Sequence, residues 1–134
     1  MATPARCASS VALAILVAFS CYVGSHANYM QYVTEKCNNI KIPAGSGFFD
    51  NLGSALADAL VNTAYHDYNY KSSRGGNKAP TAYVEAKCMP YITHRECHDC
   101  LQVITNGIWT RCSNAIGGEE HLVSCSLRYE QYYF

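Results

Sequence analysis

The sequence predicts an α+β domain: two helices packed on one face of a single antiparallel sheet of about five strands, cross-linked by three disulfides. Three observations predict it. Apolar residues recur at helical spacing in two separate stretches. Short runs of β-branched, aromatic or alternating residues read as strands, two of them flanking a polar Gly-Gly turn. Six of the eight cysteines fall in the part of the chain expected to fold.

Met1 to Arg6 carries one positive charge and precedes an apolar run, Val11 to Phe19, about half the length a membrane-spanning helix needs. Small residues come next at Ser25 and Ala27, so residues 1–27 are expected to be a secretory signal peptide cut after Ala27. Removing 27 of the 134 residues leaves 107, residues 28–134, which suits one domain with a modest core. Cys7 and Cys21 leave with the signal. Cys37, Cys88, Cys97, Cys100, Cys112 and Cys125 remain, an even set in an oxidising compartment, where three disulfides and no free thiol are expected.

Tyr29 to Cys37 reads as a first strand, favoured by Tyr32 and Val33. Pro43 to Gly47 is a loop, with Ser46 placed to cap a helix. Phe49, Leu52, Leu56, Ala59 and Leu60 then recur at helical spacing, predicting an amphipathic helix over residues 48–62. Tyr65, Tyr68 and Tyr70 lead into the polar stretch Lys71 to Asn77, read as a hairpin turn with Ala82 to Cys88 as the return strand. Thr93 with Glu96 three residues on forms a capping box for a second helix, and Cys97, Cys100, Leu101, Ile104 and Ile108 share one of its faces up to about Trp109. Val123, Cys125, Leu127 and Tyr129 alternate with polar residues in a last strand having one dry and one wet face.

Charge excludes several functions. Without Arg6 the domain has 9 Lys/Arg against 10 Asp/Glu, a formal charge of −1, with the cations scattered singly. Neither a nucleic-acid partner nor insertion into an anionic membrane is expected, since both usually require a basic cluster. Enzyme chemistry is not expected either. His66, His94, His98 and His121 are joined by no nucleophile motif, phosphate loop or metal signature. His94, Cys97, His98 and Cys100 superficially resemble zinc ligands, but a zinc site needs reduced thiolates and this chain is expected to be exported. No metal or other cofactor is expected, and a monomer is.

Cys88, Cys97 and Cys100, with eight and then two residues between them, give the most specific local pattern. It resembles the signature of the plant stress-antifungal, or cysteine-rich secretory repeat, family, and the likeness to its ginkbilobin-like members extends further. Cys37-Asn38, Lys41 to Ser46, Asn62 to Ala64, Tyr68 to Arg74, Ala79 to Tyr83, Asn114 to Gly117 and Tyr129 to Gln131 all resemble them, so it spans essentially the whole domain. Of the 15 pairings six cysteines permit, the resemblance implies Cys37–Cys112, Cys88–Cys97 and Cys100–Cys125.

The resemblance also implies a secreted, apoplastic antifungal lectin that binds mannose or the mannan of fungal walls. The family's sugar-binding trio is an Asn just after the first cysteine, an Arg six residues before the last, and a Glu five residues after it. Asn38 and Glu130 occupy two of these positions, but Glu119 stands at the third, reversing its charge. Arg donates from a rigid fork that a carboxylate cannot imitate. Glu119 beside Glu120 would also repel Glu130 if the three lie close. Arg128, two residues before Glu130 and hence on its face, is the candidate to fill the vacant role. On residue types alone, Asn38 reads as a turn residue and Glu130 as a solvated strand-end charge. Two other functions need no sugar site: a secreted protein-binding module or protease inhibitor, which the Glu119 reversal favours, and a structural or storage role.

Overall fold

A computed structural model of the chain describes residues 28–76 and 79–134. The expected signal segment, with Cys7 and Cys21, lies outside the described residues, as does Asn77 of the expected turn. Five strands form one antiparallel sheet: β1 (Tyr32–Cys37), β2 (Asn69–Gly76), β3 (Ala79–Cys88), β4 (Gly117–Leu122) and β5 (Cys125–Glu130). Their spatial order is β1-β4-β5-β3-β2, which leaves β1 and β2 as edges. Helices α1 (Phe48–Asn62), α2 (His94–Thr105) and the single turn α3 (Ile108–Arg111) complete the fold.

The first helix spans the residues its periodicity predicts; Leu52, Leu56 and Ala59 of the expected stripe are buried together with Phe48 and Ala55, while Phe49 and Leu60 are half-buried. Ser46 contributes, although Gly47 is the N-cap: its Oγ accepts the Phe48 N–H at 3.3 Å. The Thr93–Glu96 capping box starts the second helix, each side chain accepting from the other residue's backbone N–H. This helix is shorter than expected. It ends at Asn106-Gly107, where Gly107 takes φ −148°, and Ile108 resumes in the separate turn α3. Cys97, Cys100, Leu101, Ile104 and Ile108 are nonetheless all buried, as their common face required.

Two strand expectations need correction, and one strand was not foreseen. Lys71 to Gly76 is not a turn but the body of β2, pairing with β3 from Asn69↔Lys87 to Gly76↔Ala79. An edge strand tolerates such polar residues because most of their side chains are solvated, and its buried Ser72 donates to Asp58 of α1 at 2.6 Å. β4, Gly-Gly-Glu-Glu-His-Leu, has little β propensity and was not legible as a strand, yet it lies between β1 and β5. Val123 is not on the dry face: it sits in the β4–β5 connection, 41% exposed.

The core lies between the helices and one face of the sheet, joining Phe48, Leu52, Leu101, Ile104 and Ile108 to Val84, Leu127 and Tyr129. Full burial stabilises each such aliphatic or aromatic side chain by about 1.5–3 kcal/mol. Tyr129 is fully buried, and its hydroxyl donates to the Ala115 carbonyl at 3.0 Å. The disulfides are Cys37–Cys112, Cys88–Cys97 and Cys100–Cys125. They tie β1 to the end of α3, β3 to α2, and α2 to β5.

Candidate functional site

Among the described residues the helices cover one face of the sheet and leave the other open, and strand register decides which side chains meet there. One row crosses all five strands: Lys36 of β1 faces Glu119 of β4, Glu119 faces Arg128 of β5, Arg128 faces Glu85 of β3, and Glu85 faces Lys71 of β2. Its charges alternate from edge to edge. Opposite charges facing each other across strands are stabilising, by roughly 0.2–1 kcal/mol a pair. A second row runs beside it, with Gly117 facing Glu130, Glu130 facing Tyr83 and Tyr83 facing Ser73. Asn38 joins its β4 end, donating its backbone N–H to the Gly117 carbonyl at 2.9 Å.

Between the two rows lies a cleft of about 280 Å³ lined by Lys36, Asn38, Glu119, Arg128 and Glu130, among others. The four residues singled out from the sequence therefore meet in one place. The Asn38 side-chain Oδ1 closes a local turn by accepting the Ile40 N–H at 2.9 Å, leaving its Nδ2 to donate. The neighbouring Cys37–Cys112 disulfide anchors this corner to α3.

Glu130 is the exceptional group. It is not a solvated strand-end charge: the residue is only 7% exposed. Oε1 accepts two hydrogen bonds from Arg128, from Nε at 3.2 Å and Nη2 at 3.1 Å. Oε2 is buried with no hydrogen-bond partner among the described residues. A buried acceptor left unsatisfied costs about 1–3 kcal/mol, more when charged. Gly117 makes the arrangement possible, since a Cβ there would collide with the Glu130 carboxylate.

Arg128 is held from two sides, by the Glu130 carboxylate and by the Phe134 ring, whose centroid lies 4.1 Å from the guanidinium carbon. Burial is the largest single effect and opposes its charge, but the hydrogen bonds and charge attraction of Glu130 and Tyr132 together raise its pKa above the ordinary Arg value. Glu119 accepts from His121 Nε2 at 2.6 Å and is flanked in register by the two cations Lys36 and Arg128. The crowding of three carboxylates considered from the sequence does not arise. Glu120 faces the opposite side of the sheet, where it is 3% exposed and paired with Arg111, which also donates to Glu35 at 3.0 Å. Burial raises the Glu120 pKa despite Arg111.

Lys36, Gly117 and Phe134 belong to this site and were missed in the sequence. Alternation along β1 would have put Lys36 on the face opposite Cys37, but nothing local announced Gly117 or the fold-back of Phe134. The sulfurs weighed as zinc ligands are taken up in disulfides, Cys97 with Cys88 and Cys100 with Cys125. Trp109 lies on the helical side, packed edge-on against Phe49 at 5.2 Å between ring centroids.

Residues 35–132 match the family model described as salt stress response/antifungal. The chain is 47% identical over 104 residues to the antifungal protein ginkbilobin-like protein of Picea abies, covering 77% of this chain and 95% of that one. It is 42% identical over 127 residues to the antifungal protein ginkbilobin-2 of Ginkgo biloba, covering 94% and 95%. Among solved structures, the tandem DUF26 ectodomain of the Arabidopsis thaliana cysteine-rich receptor-like protein PDLP5 superposes with a TM-score of 0.68 at 24% identity. That superposition covers 78% of this chain and 51% of the tandem ectodomain, a likeness of fold.

Proposed function

The chain belongs to the salt stress response/antifungal family, and from that premise we propose that it is a secreted antifungal defence protein whose open-face cleft binds mannose-type carbohydrate of fungal cell walls. Asn38 and Glu130 are the sugar-contacting residues, and Arg128 supplies the cation that the family carries where this chain has Glu119. The observation that carries the reading is the buried, unpartnered Glu130 Oε2 beside a guanidinium already fixed in place. A sugar hydroxyl is a neutral donor of the right size for that oxygen, and its own lone pairs can accept from the Asn38 amide or from Arg128. Three disulfides and the expected signal peptide at residues 1–27 support export, with the apoplast as the site of action.

The test is calorimetric or NMR titration of the oxidised domain, residues 28–134, with mannose and a mannan oligosaccharide. Binding that disappears in Asn38→Ala and weakens in Arg128→Ala supports the site as drawn. A wild-type domain that binds no sugar, with binding restored by Glu119→Arg, would show that Arg128 does not replace the missing cation. The Glu119 reversal specifically favours a second reading, a protein-binding module or protease inhibitor, which inhibition of a pepsin-like protease would reveal.

A further inference from the structure

The row containing Glu130 continues beyond the cleft. Tyr83 lies directly opposite Glu130 and Ser73 directly opposite Tyr83, so the open face runs on from β5 over β3 to β2 without a step. The C-terminal residues return over this half of the sheet. Tyr133 meets Tyr83 edge-on at 5.7 Å between ring centroids, and the Phe134 ring lies under Arg128 at 4.1 Å and within 5.6 Å of Lys71 Nζ. Together they line a second, narrower cleft of about 110 Å³ that also exposes Lys71 and Ser73. Arg128 and Phe134 form the wall shared by the two clefts.

Resting on the carbohydrate reading of the first cleft, we propose that this aromatic cleft is a second subsite, which takes a further sugar unit of the same linear glycan. Its chemistry complements the first. The polar cleft offers a carboxylate, an amide and a guanidinium for hydroxyls, whereas the second offers ring surface for the apolar C–H face of a sugar, with the Ser73 hydroxyl and Lys71 ammonium at its edge. Tyr133 is 78% exposed, a large apolar surface held out over the sheet with one ring contact among the described residues, suited to stacking rather than to core formation. Strands lie about 4.8 Å apart, and the first cleft is centred on β4 and the second between β3 and β2, so two to three spacings separate them by roughly 12 Å. That distance exceeds one sugar ring and falls within a short oligosaccharide. Joining two weak contacts on one ligand raises affinity without changing either.

The experiment titrates wild type, Tyr133→Ala and Ser73→Ala with mannose and with a linear mannan trisaccharide, using thermal melting to verify each fold. The wild type should bind the trisaccharide about tenfold more tightly than mannose. Each variant should lose most of that gain while keeping its affinity for mannose. A trisaccharide that binds wild type no better than mannose overturns the second subsite and leaves the first cleft standing, as does a gain retained in both variants. Wild type that binds neither sugar removes the first cleft's reading and this inference with it.

Discussion

Replacing Glu130 by Gln separates the charge and acceptor geometry of the cleft from its shape. The two side chains are nearly isosteric, so Gly117 still accommodates the group and the strand pairing of β5 is undisturbed. With the amide carbonyl turned toward Arg128, the position of Oε1 remains an acceptor, and an NH2 group replaces Oε2. That position then donates instead of accepting, and the hydroxyl it would have received meets another donor. A hydrogen bond to a charged group contributes about 1.5–3 kcal/mol, so mannose affinity should fall by roughly tenfold to hundredfold. Stability should change far less, because loss of the Arg128 ion pair is offset by removal of a buried, half-satisfied carboxylate. The expected change in unfolding free energy is within about 1 kcal/mol. Isothermal titration with mannose, paired with urea denaturation of the same preparation, measures both quantities. Unchanged affinity in a folded Glu130→Gln domain would refute the assignment of Oε2 as the sugar acceptor.

Three other perturbations have outcomes set by the same structure. Arg111→Ala leaves Glu120, whose side chain is 4% exposed, without its cation, so denaturant unfolding should show a loss of about 3 kcal/mol; under 1 kcal/mol would mean that Glu120 becomes protonated or finds water at little penalty. Asp58, held below the usual carboxyl range first by the Ser72 hydrogen bond and also by Arg74, contributes stability that is present above the unfolded-state pKa of about 3.9 and lost as pH falls through its lower folded value. Asp58→Asn should therefore flatten the acid side of a melting-temperature profile between about pH 5 and pH 2, and an unaltered slope would remove Asp58 from the account. Removing the Cys37–Cys112 cross-link, which spans 75 residues, should destabilise the domain more than removing Cys88–Cys97, which spans 9. Loop-closure entropy gives about 4.5 against about 2.6 kcal/mol, and an equal loss in the two Cys→Ala double variants would contradict it.

Much of this fold was legible because the signals were local. The helix over Phe48–Asn62 is written in its i, i+3, i+4 spacing, and the start of α2 in the Thr93–Glu96 box, both of which involve residues within a turn or two of one another. The even set of six cysteines was equally plain, and resemblance to the family supplied their pairing, which matches the three bonds found. Resemblance likewise located Asn38 and Glu130 and drew notice to Glu119.

Tertiary structure alone decided what the remaining residues do. Nothing in Gly-Gly-Glu-Glu-His-Leu favours a strand, but hydrogen bonding from β1 on one side and β5 on the other makes it one. Glu130 looked solvated until Gly117, on a different strand, allowed its carboxylate to settle against β4. The significance of Glu119 also changed. As a single substitution it is a charge reversal, whereas in register it is the second member of an alternating row whose five charges come from five separate strands. Lys36 and Lys71, the ends of that row, are brought onto one face by pairing across strands remote in sequence. Local propensity records only what a residue meets within a few positions of itself; register and burial depend on partners tens of residues away, and they determine which charges face one another and which oxygen is left without a donor.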